Sequence, residues 1–219
     1  MLFRSVSSVD FAPTVLRLTG IPVPDYMQGR PFLGEGLPPR REYVYAARDR
    51  MDERYDIIRM VHDGRFQYIR NYEPFKPYDQ FMNSAEKSVI KQELHRLADE
   101  NALPPGADWV TQKTKPVEEL YDTQADPHEI NNLAADPACA DVLARLRKAH
   151  EDWMRDSRDL GLLPEPELNA LGQQYGTRAQ IWERLSVDAP GFWDTLRETA
   201  VRAGRPSLGD RPVLLEARK

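Results

Sequence analysis

Residues 57–72 of the chain read IIRMVHDGRFQYIRNY. Two runs rich in β-branched and aromatic residues, Ile57–Val61 and Phe66–Tyr72, lie on either side of the pair Asp63-Gly64. These two residue types suit the positive backbone angles of a two-residue hairpin turn. The pattern therefore predicts a β-hairpin. Neighbouring segments with strand-like composition can extend this hairpin into a sheet.

Two further segments have strand-like composition, Tyr43–Ala47 before the hairpin and Glu118–Asp122 well after it. Together with the hairpin they predict a small antiparallel sheet of about four strands. Apolar residues at helical spacing predict a helix from Ser84 to about Asn101, inserted between the strands. A second helix, with an aspartate cap followed by proline, is predicted over Asp136–Arg155 and should pack on the sheet. The predicted fold class is α+β.

The two ends of the chain have a different character. A short helix capped by Asp10 runs to Gly20 and is apolar on most sides, which implies burial, and the Pro- and Gly-rich stretch Pro22–Arg41 is typical of an extended connector. Short helical pieces are expected after about residue 160. The predicted apolar faces of these helices are Ile181-Trp182-Leu185 and Phe192-Trp193-Leu196-Ala200. The last helix is predicted to end at Gly204-Arg205-Pro206.

Composition excludes several classes of protein. The 219 residues are 41% hydrophobic and 30% charged, and 30 Lys and Arg against 35 Asp and Glu give a net charge of -5. Because the two signs are interspersed, the chain offers no attractive field to nucleic acid. No apolar run approaches the roughly 18 residues of a membrane span. The start is apolar for only a few residues, so we expect no signal peptide and a cytoplasmic chain as written.

Nucleophilic or metal catalysis finds little support in the histidines. His95 and His150 lie in charged helical stretches and are expected to be solvated. His128 lies in a helix-start pattern and His62 beside the hairpin turn, so both favour structural roles.

The remaining nucleophile and ligand types are equally uninformative. Cys139 cannot form an internal disulfide and has no companion for a zinc site, and a small buried residue is favoured over a reactive thiol there. The spacing of Asp122, Asp126 and Asp136 fits no calcium loop. We therefore predict no catalytic residue and no metal ligand in this chain.

The densest polar segment is Arg48–Arg54, which follows the first predicted strand as a loop. It has two interpretations: a solvated run of alternating charges, or guanidinium groups that hold a sulfate, phosphate or carboxylate through paired N–H donors. The residues themselves do not decide between them.

Three motifs, in order along the chain, resemble the formylglycine-dependent sulfatases, a family with an alkaline-phosphatase-like fold. They are Ser7–Ile21 (SSVDFAPTVLRLTGI), Arg65–Tyr72 (RFQYIRNY) and the pair Glu119–Asp122 (ELYD) with Asp126–Ala134 (DPHEINNLA). The resemblance covers about residues 5–170. Asn71 and the segment Pro77–Gln80, with the helical insertion, are most similar to the N-sulfoglucosamine sulfohydrolase (heparan N-sulfatase) branch.

The resemblance implies three segments: residues 1–40 as the end of the large sulfatase lobe, 41–160 as the C-terminal subdomain, and 161–219 as a helical extension. In the family this subdomain lies over the pocket, which implies substrate contacts by Arg48, Asp49, Arg50, Asn71 and Gln80. The C-x-P-S-R or S-x-P-S-R segment that yields formylglycine, and the calcium ligands, are not among these 219 residues. Calcium and formylglycine are thus expected only in a full-length relative.

Two functions of different class follow from these expectations. The chain is either the C-terminal part of a sulfuric ester or sulfamate hydrolase, inactive alone, or a stand-alone module that binds a sulfated saccharide or a protein. The expected partners are a sulfated saccharide, the catalytic lobe of a sulfatase, or a second copy of the chain through the apolar helix surface. We expect no nucleic acid and no membrane.

Overall fold

A computed structural model of the chain describes residues 6–188, 191, 192 and 194. Four strands form one sheet in the order β1-β2-β3-β4. They are β1 (Val44–Met51), β2 (Arg54–His62), β3 (Phe66–Asn71) and β4 (Glu118–Asp122). The two hairpin connections make β1, β2 and β3 antiparallel. Hydrogen bonds from Asn71 N to Val117 O (3.0 Å) and from Thr123 N to Arg65 O (2.9 Å) make β4 antiparallel to β3. The predicted four-stranded α+β fold is confirmed.

The central hairpin is confirmed, but its turn lies one residue later than predicted. Asp63 N donates to Phe66 O at 3.1 Å, so this pair closes the turn and Gly64-Arg65 occupies its centre. The Asp63 carboxylate accepts from the backbone N–H groups of Arg65 (2.9 Å) and Phe66 (2.7 Å), which places Asp63 before the turn. Gly64 takes the positive φ of 97° that favours glycine.

The first strand is longer than predicted, and this corrects the placement of the Arg48-Asp49-Arg50 segment. These residues lie inside β1 and not in a loop. The reason is that Asp52 adopts a left-handed φ of 49° and turns the chain tightly into β2, so pairing continues almost to the turn. β1 is an edge strand, where charged side chains are well tolerated.

Six helices are present among the described residues. They are α1 (Phe11–Leu18), α2 (Asn83–Glu86), α3 (Val89–Asp99), α4 (Ala140–Asp156), α5 (Glu165–Tyr175) and α6 (Arg178–Asp188). The single helix predicted over 84–101 is two helices, because Ser88 has an extended backbone (φ −72°, ψ 125°) between them. Asp136 accepts from Ala138 N at 2.9 Å, as its predicted capping role requires. The predicted face at Trp193, Leu196 and Ala200, and the stop at 204–206, lie outside the described residues.

The chain divides into two compact units. Unit one contains residues 1–46, 59–69 and 119–150, and unit two contains residues 47–58, 70–118 and 151–219. In unit one Val61, Tyr68 and Leu120 pack with Leu143 and Leu146 of α4. In unit two the core cluster joins strand residues to the last helices: Ile57, Tyr72, Met154, Leu160, Leu162, Leu163, Leu168, Leu171, Ile181 and Phe192.

In helix α1 of unit one, much of the apolar surface lies on the exposed side, opposite to the side that is buried. Pro13 and Thr14 are buried, whereas Phe11, Val15 and Leu18, which share one helix face by their spacing, are more than half exposed. The burial predicted for this helix is thus met on one side and leaves an uncovered apolar strip on the other.

Candidate functional site

The first predicted site residues lie side by side on β1 in unit two. Alternation along the strand places Arg48 and Arg50 on one face and Asp49 on the other. The Arg50 guanidinium is 2.8 Å from a Glu165 carboxylate oxygen and 5.9 Å from the centre of the Tyr55 ring. Arg50 therefore already holds a carboxylate of its own chain, and its side chain stays one-third exposed.

Asn71 is fixed in a structural role where β3 meets the residues before β4. Its side chain is buried, with Nδ2 donating to Pro116 O at 2.8 Å, while its backbone N–H donates to Val117 O at 3.0 Å. The amide thus fastens both ends of the 72–116 insertion. The predicted contact between Asn71 and substrate stays a prediction.

Gln80 forms a hydrogen bond to a buried ion pair. Asp56 of β2 and Lys115 join through Oδ2 and Nζ at 2.5 Å, with side chains 2% and 0% exposed. Gln80 Nε2 donates to the same Asp56 oxygen at 3.0 Å and is within 3.3 Å of Pro77 O. Burial lowers the pKa of Lys115 against the opposing effect of Asp56, and Arg48 and Lys76 lower it further through their positive charge.

A third cation lies at the surface beside this pair. Lys76 Nζ donates to Tyr55 O at 2.8 Å, is 3.3 Å from Glu73 Oε2, and lies 4.2 Å from the centre of the Tyr55 ring. We call Arg48, Lys76 and Lys115, with Asp56 and Gln80, the cationic cluster. All five residues belong to unit two. Three cations against one carboxylate within the cluster, and Glu73 at its rim, make a site suited to an anionic group.

Helix α3 is fixed to the segment that carries Gln80 by a second polar group. Asp79 accepts from Lys91 at 2.8 Å and lies 2.5 Å from His95 Nε2, and Lys91 Nζ also donates to Gln80 O at 3.3 Å. Burial alone would raise the pKa of the Asp79 carboxyl, but hydrogen bonds from Lys91 and His95 hold it below its usual value. His95, expected to be solvated, is bonded to Asp79 and half-exposed.

The expectation that His150 is solvated is wrong, because this histidine is buried. Its ring meets Tyr68 edge-on with centres 5.7 Å apart. His62 accepts from Gly64 N at Nδ1 (2.9 Å) and lies 3.2 Å from Thr123 Oγ1, which is the structural role expected beside the turn. Both histidines serve the packing of unit one.

The Glu119–Asp122 and Asp126–Ala134 motifs build local structure in unit one. Arg65 donates to Asp122 from both Nε (3.0 Å) and a terminal nitrogen (2.6 Å), which ties the hairpin turn to the end of β4. Tyr121 donates to Glu119 at 2.6 Å, and the pKa of this tyrosine is raised chiefly by burial. Asp126 accepts from the backbone of Ile130 and Asn131. The motifs therefore identify a scaffold and not a reaction centre.

The residues present do not fit the calcium and formylglycine of a full sulfatase. In the part of the chain that the structure describes, no group of three or more His, Cys, Asp or Glu side chains could hold a metal ion. Cys139 is half-buried and is followed by Ala-Asp-Val, which does not match the modification motif. We therefore derive no reaction step through either group.

Sequence reasoning found two members of the cationic cluster, Arg48 and Gln80, and missed three. Asp56 carries a usable signal, because a carboxylate between Tyr55 and Ile57 in an apolar strand needs a buried partner. Lys76 and Lys115 carry none, since each lies in a polar stretch that is typical of a surface loop.

The chain has relatives among known proteins. No family model matches the chain. It is 42% identical over 163 residues to an ulvan-active sulfatase of Formosa agariphila, covering 74% of this chain and 27% of that protein. It is 27% identical over 175 residues to human N-sulphoglucosamine sulphohydrolase, covering 70% of this chain and 33% of that protein. The chain belongs to the sulfatase family. It corresponds to the C-terminal region of a sulfatase, as the motif order predicted.

The match of this sulfatase region to its relatives is partial in length. The chain spans about a quarter to a third of the curated relatives it matches. A solved 2-O GAG sulfatase superposes with a TM-score of 0.46 at 25% identity, covering 68% of this chain and 25% of that one. Each described helix is too short or too polar to span a bilayer.

Proposed function

We propose that this region supplies the substrate-binding part of a sulfatase, with the cationic cluster as the contact for a sulfated saccharide. The observation that carries the proposal is the Asp56–Lys115 pair, which holds Gln80 and lies close enough to Arg48 and Lys76 for their charges to act on Lys115. Relatives named for ulvan and for N-sulphoglucosamine support an anionic saccharide as the ligand. Bond cleavage is assigned to residues outside this chain, so the chain alone should not hydrolyse a sulfate ester or sulfamate.

Within the cluster the three cations have different roles. Lys115 is buried and neutralised by Asp56, so it sets the local potential and fixes Gln80 through their shared carboxylate. Lys76 is partly exposed and can donate to a ligand in place of Glu73. Arg48 carries a guanidinium group, which suits planar, paired recognition of a sulfate or carboxylate, and Arg50 beside it on β1 would have to exchange Glu165 for such a ligand.

Titration of the purified chain with heparin-derived oligosaccharides tests this proposal. Lys76→Ala should weaken binding about two- to fivefold, as expected for a partly exposed charge. The double variant Arg48→Ala/Arg50→Ala should weaken it further. Lys87→Ala, an exposed lysine of the same insertion, is the matched control and should bind as the wild type does. Equal affinity of all variants, or no saccharide binding by the wild type, would contradict the proposal.

Hydrolysis is tested separately on the same preparation. The chain alone, supplied with calcium and a sulfate ester or sulfamate, should release no sulfate, because loss of a covalent nucleophile costs many powers of ten in rate. Sulfate release that copurifies with the chain, and disappears from a cluster variant, would overturn the assignment of cleavage to residues elsewhere.

The exposed strip of α1 favours a second role, which is association with a protein surface. Phe11, Val15 and Leu18 form an apolar face of one helix, and Ile21 just beyond it is also exposed. We propose that residues 1–40 belong to the large lobe of a sulfatase and that this strip packs against the rest of that lobe. For the chain alone we expect self-association through the strip. Sedimentation should show a smaller assembly for Val15→Asp/Leu18→Asp than for the wild type, and a monomeric wild type would contradict this role.

A further inference from the structure

The segment Phe75–Phe81 has a composition that the cationic cluster alone does not explain. It begins and ends with phenylalanines whose rings face solvent, Phe75 at 42% and Phe81 at 64% exposure. Between them lie Lys76 and Gln80, two partly exposed members of the cluster. Single exposed apolar residues are ordinary on a protein surface. Here two exposed rings lie at the two ends of one segment that contains members of the cationic cluster, so they are not isolated exposed residues.

The segment is held in place, so these exposed rings are not the result of a loose loop. Gln80 is fixed by its hydrogen bond to Asp56 and by Lys91 Nζ at its carbonyl. Lys76 is fixed by Tyr55 O and Glu73. Each phenylalanine is therefore the direct neighbour of an anchored residue and is presented at low entropic cost to a ligand.

Aromatic and cationic groups alternate across this surface. Lys76 Nζ lies 4.2 Å from the centre of the Tyr55 ring and 5.8 Å from that of Phe75, and the Arg50 guanidinium lies 5.9 Å from the centre of the Tyr55 ring. Lys115, whose Nζ is 5.8 Å from the centre of the Tyr78 ring, is fully buried and contributes only its charge. A ligand that fits such a surface must itself alternate apolar C–H faces with negative groups.

We propose that Phe75 and Phe81 are stacking platforms that make the site selective for an extended, multiply charged saccharide over a single sulfated sugar or an aryl sulfate. This rests on the proposed function, since the cationic cluster supplies the charge that draws the ligand. A pyranose ring has one face of C–H groups that packs on an aromatic ring, and its sulfate or carboxylate reaches the adjacent cation. A ligand that stacks one sugar on each ring contains more than one sugar unit.

Charge complementarity decides the occupant against a protein or lipid surface. A protein strip or an acyl chain would cover the two rings but would bring apolar groups over Lys76, which is desolvated only at a cost. A sulfated saccharide places an anion there instead. The alternation of rings and cations thus fits one class of ligand on both counts.

Length-graded titration of the full chain tests the inference. Size-fractionated heparin oligosaccharides, from disaccharide to octasaccharide, are titrated against the wild type, Phe75→Leu and Phe81→Leu. Leucine keeps an apolar side chain and removes the ring. Each variant should bind the longer oligosaccharides about two- to tenfold more weakly, the range expected for loss of an aromatic contact, with a smaller effect on the disaccharide. Tyr26→Leu, which removes an 80% exposed ring of unit one outside the α1 strip, is the matched control and should change nothing.

Two further readouts separate stacking from a structural effect and from charge. Upfield shifts of saccharide C–H protons should appear in NMR spectra with the wild type and be reduced in Phe81→Leu, whose thermal melt should equal that of the wild type. The fold-loss caused by Lys76→Ala should shrink as ionic strength rises, whereas that caused by Phe81→Leu should not.

The outcomes distinguish failure of the stacking inference from failure of the proposed function. Weaker binding by Lys76→Ala with unchanged, length-independent binding by both leucine variants would overturn the stacking inference and leave the proposed function standing. Absence of binding by the wild type to any oligosaccharide would overturn both. Length-dependent loss in Phe75→Leu and Phe81→Leu, with Tyr26→Leu unchanged, supports the inference.

Discussion

Replacement of Lys115 by methionine removes one half of the buried ion pair and keeps most of the side-chain volume. Lys115 is fully buried, and its Nζ is 2.5 Å from the Asp56 carboxylate, which then retains Gln80 Nε2 at 3.0 Å as its donor. A buried charge left without its counter-ion is strongly destabilising, by about 3–5 kcal/mol. That is a large fraction of the roughly 5–15 kcal/mol that stabilises a typical domain.

The lowered pKa of Lys115 adds a second expectation. Burial opposes the charged amine more than Asp56 favours it. The intact pair is therefore not a strong source of stability, and neutral residues of similar size should replace it at little cost. We expect the double variant Asp56→Asn/Lys115→Met to lie within about 1 kcal/mol of the wild type, since asparagine is uncharged and still accepts from Gln80.

Urea unfolding of the full chain, followed by tryptophan fluorescence and circular dichroism, measures both effects. With a slope of about 2 kcal/mol/M, Lys115→Met should lower the midpoint by about 2 M. Lys113→Met, an exposed lysine two residues away, is the control and should shift the free energy of unfolding by no more than about 0.5 kcal/mol. A loss below about 1 kcal/mol for Lys115→Met, or no recovery in the double variant, would refute the reasoning.

Three further predictions concern unit one. Leu146→Ala deletes a fully buried side chain of α4 and should cost about 2–5 kcal/mol in a urea titration; a smaller loss would mean that the core collapses around the gap. Asp136→Ala removes a helix cap and should cost about 1 kcal/mol, whereas Asp136→Ser should recover most of it in the same thermal melt. Burial and the charges of Glu119 and Asp126 raise the pKa of Glu129 above 4.5, so its ionisation opposes folding as pH rises through the folded-state pKa. Glu129→Gln should thus melt at a higher temperature than the wild type at neutral pH and lose this advantage below about pH 4.5, and a pH-independent difference would contradict the assignment.

The sheet was predictable because its pattern is local. Alternation and turn residues over 57–72 are enough to predict the hairpin, and the cap at Asp136 is enough to predict the short 3-10 helix Pro137–Cys139 that leads into α4. The two errors arose from single residues with two conformational options. Asp63 was expected to occupy the centre of the turn, but its side chain instead accepts a hydrogen bond from the backbone of the turn. Asp52 adopts a left-handed backbone conformation, so that β1 extends through the charged segment.

The site was predictable only in part, because its members meet through the tertiary fold. Asp56 and Lys115 are 59 residues apart, and nothing in the local pattern of either indicates the other. Family resemblance led to Arg48 and Gln80, which the structure brings to the same pair, and to Asn71, which it uses to fasten the insertion. Chemistry in a single strand can be predicted from sequence, but a cluster formed by distant segments needs the coordinates.

The insertion between β3 and β4 leaves and re-enters the sheet at one point, where Asn71 meets Pro116 and Val117. Its ends stay together whatever lies between them, and doubling the length of a flexible loop costs only about 0.6 kcal/mol. Evolution can therefore lengthen, shorten or exchange the stretch carrying the rings and Lys76 while β3 and β4 keep their register. If this segment binds the saccharide as proposed, sugar preference can diverge through this insertion alone, and a graft of residues 73–114 between relatives should transfer that preference.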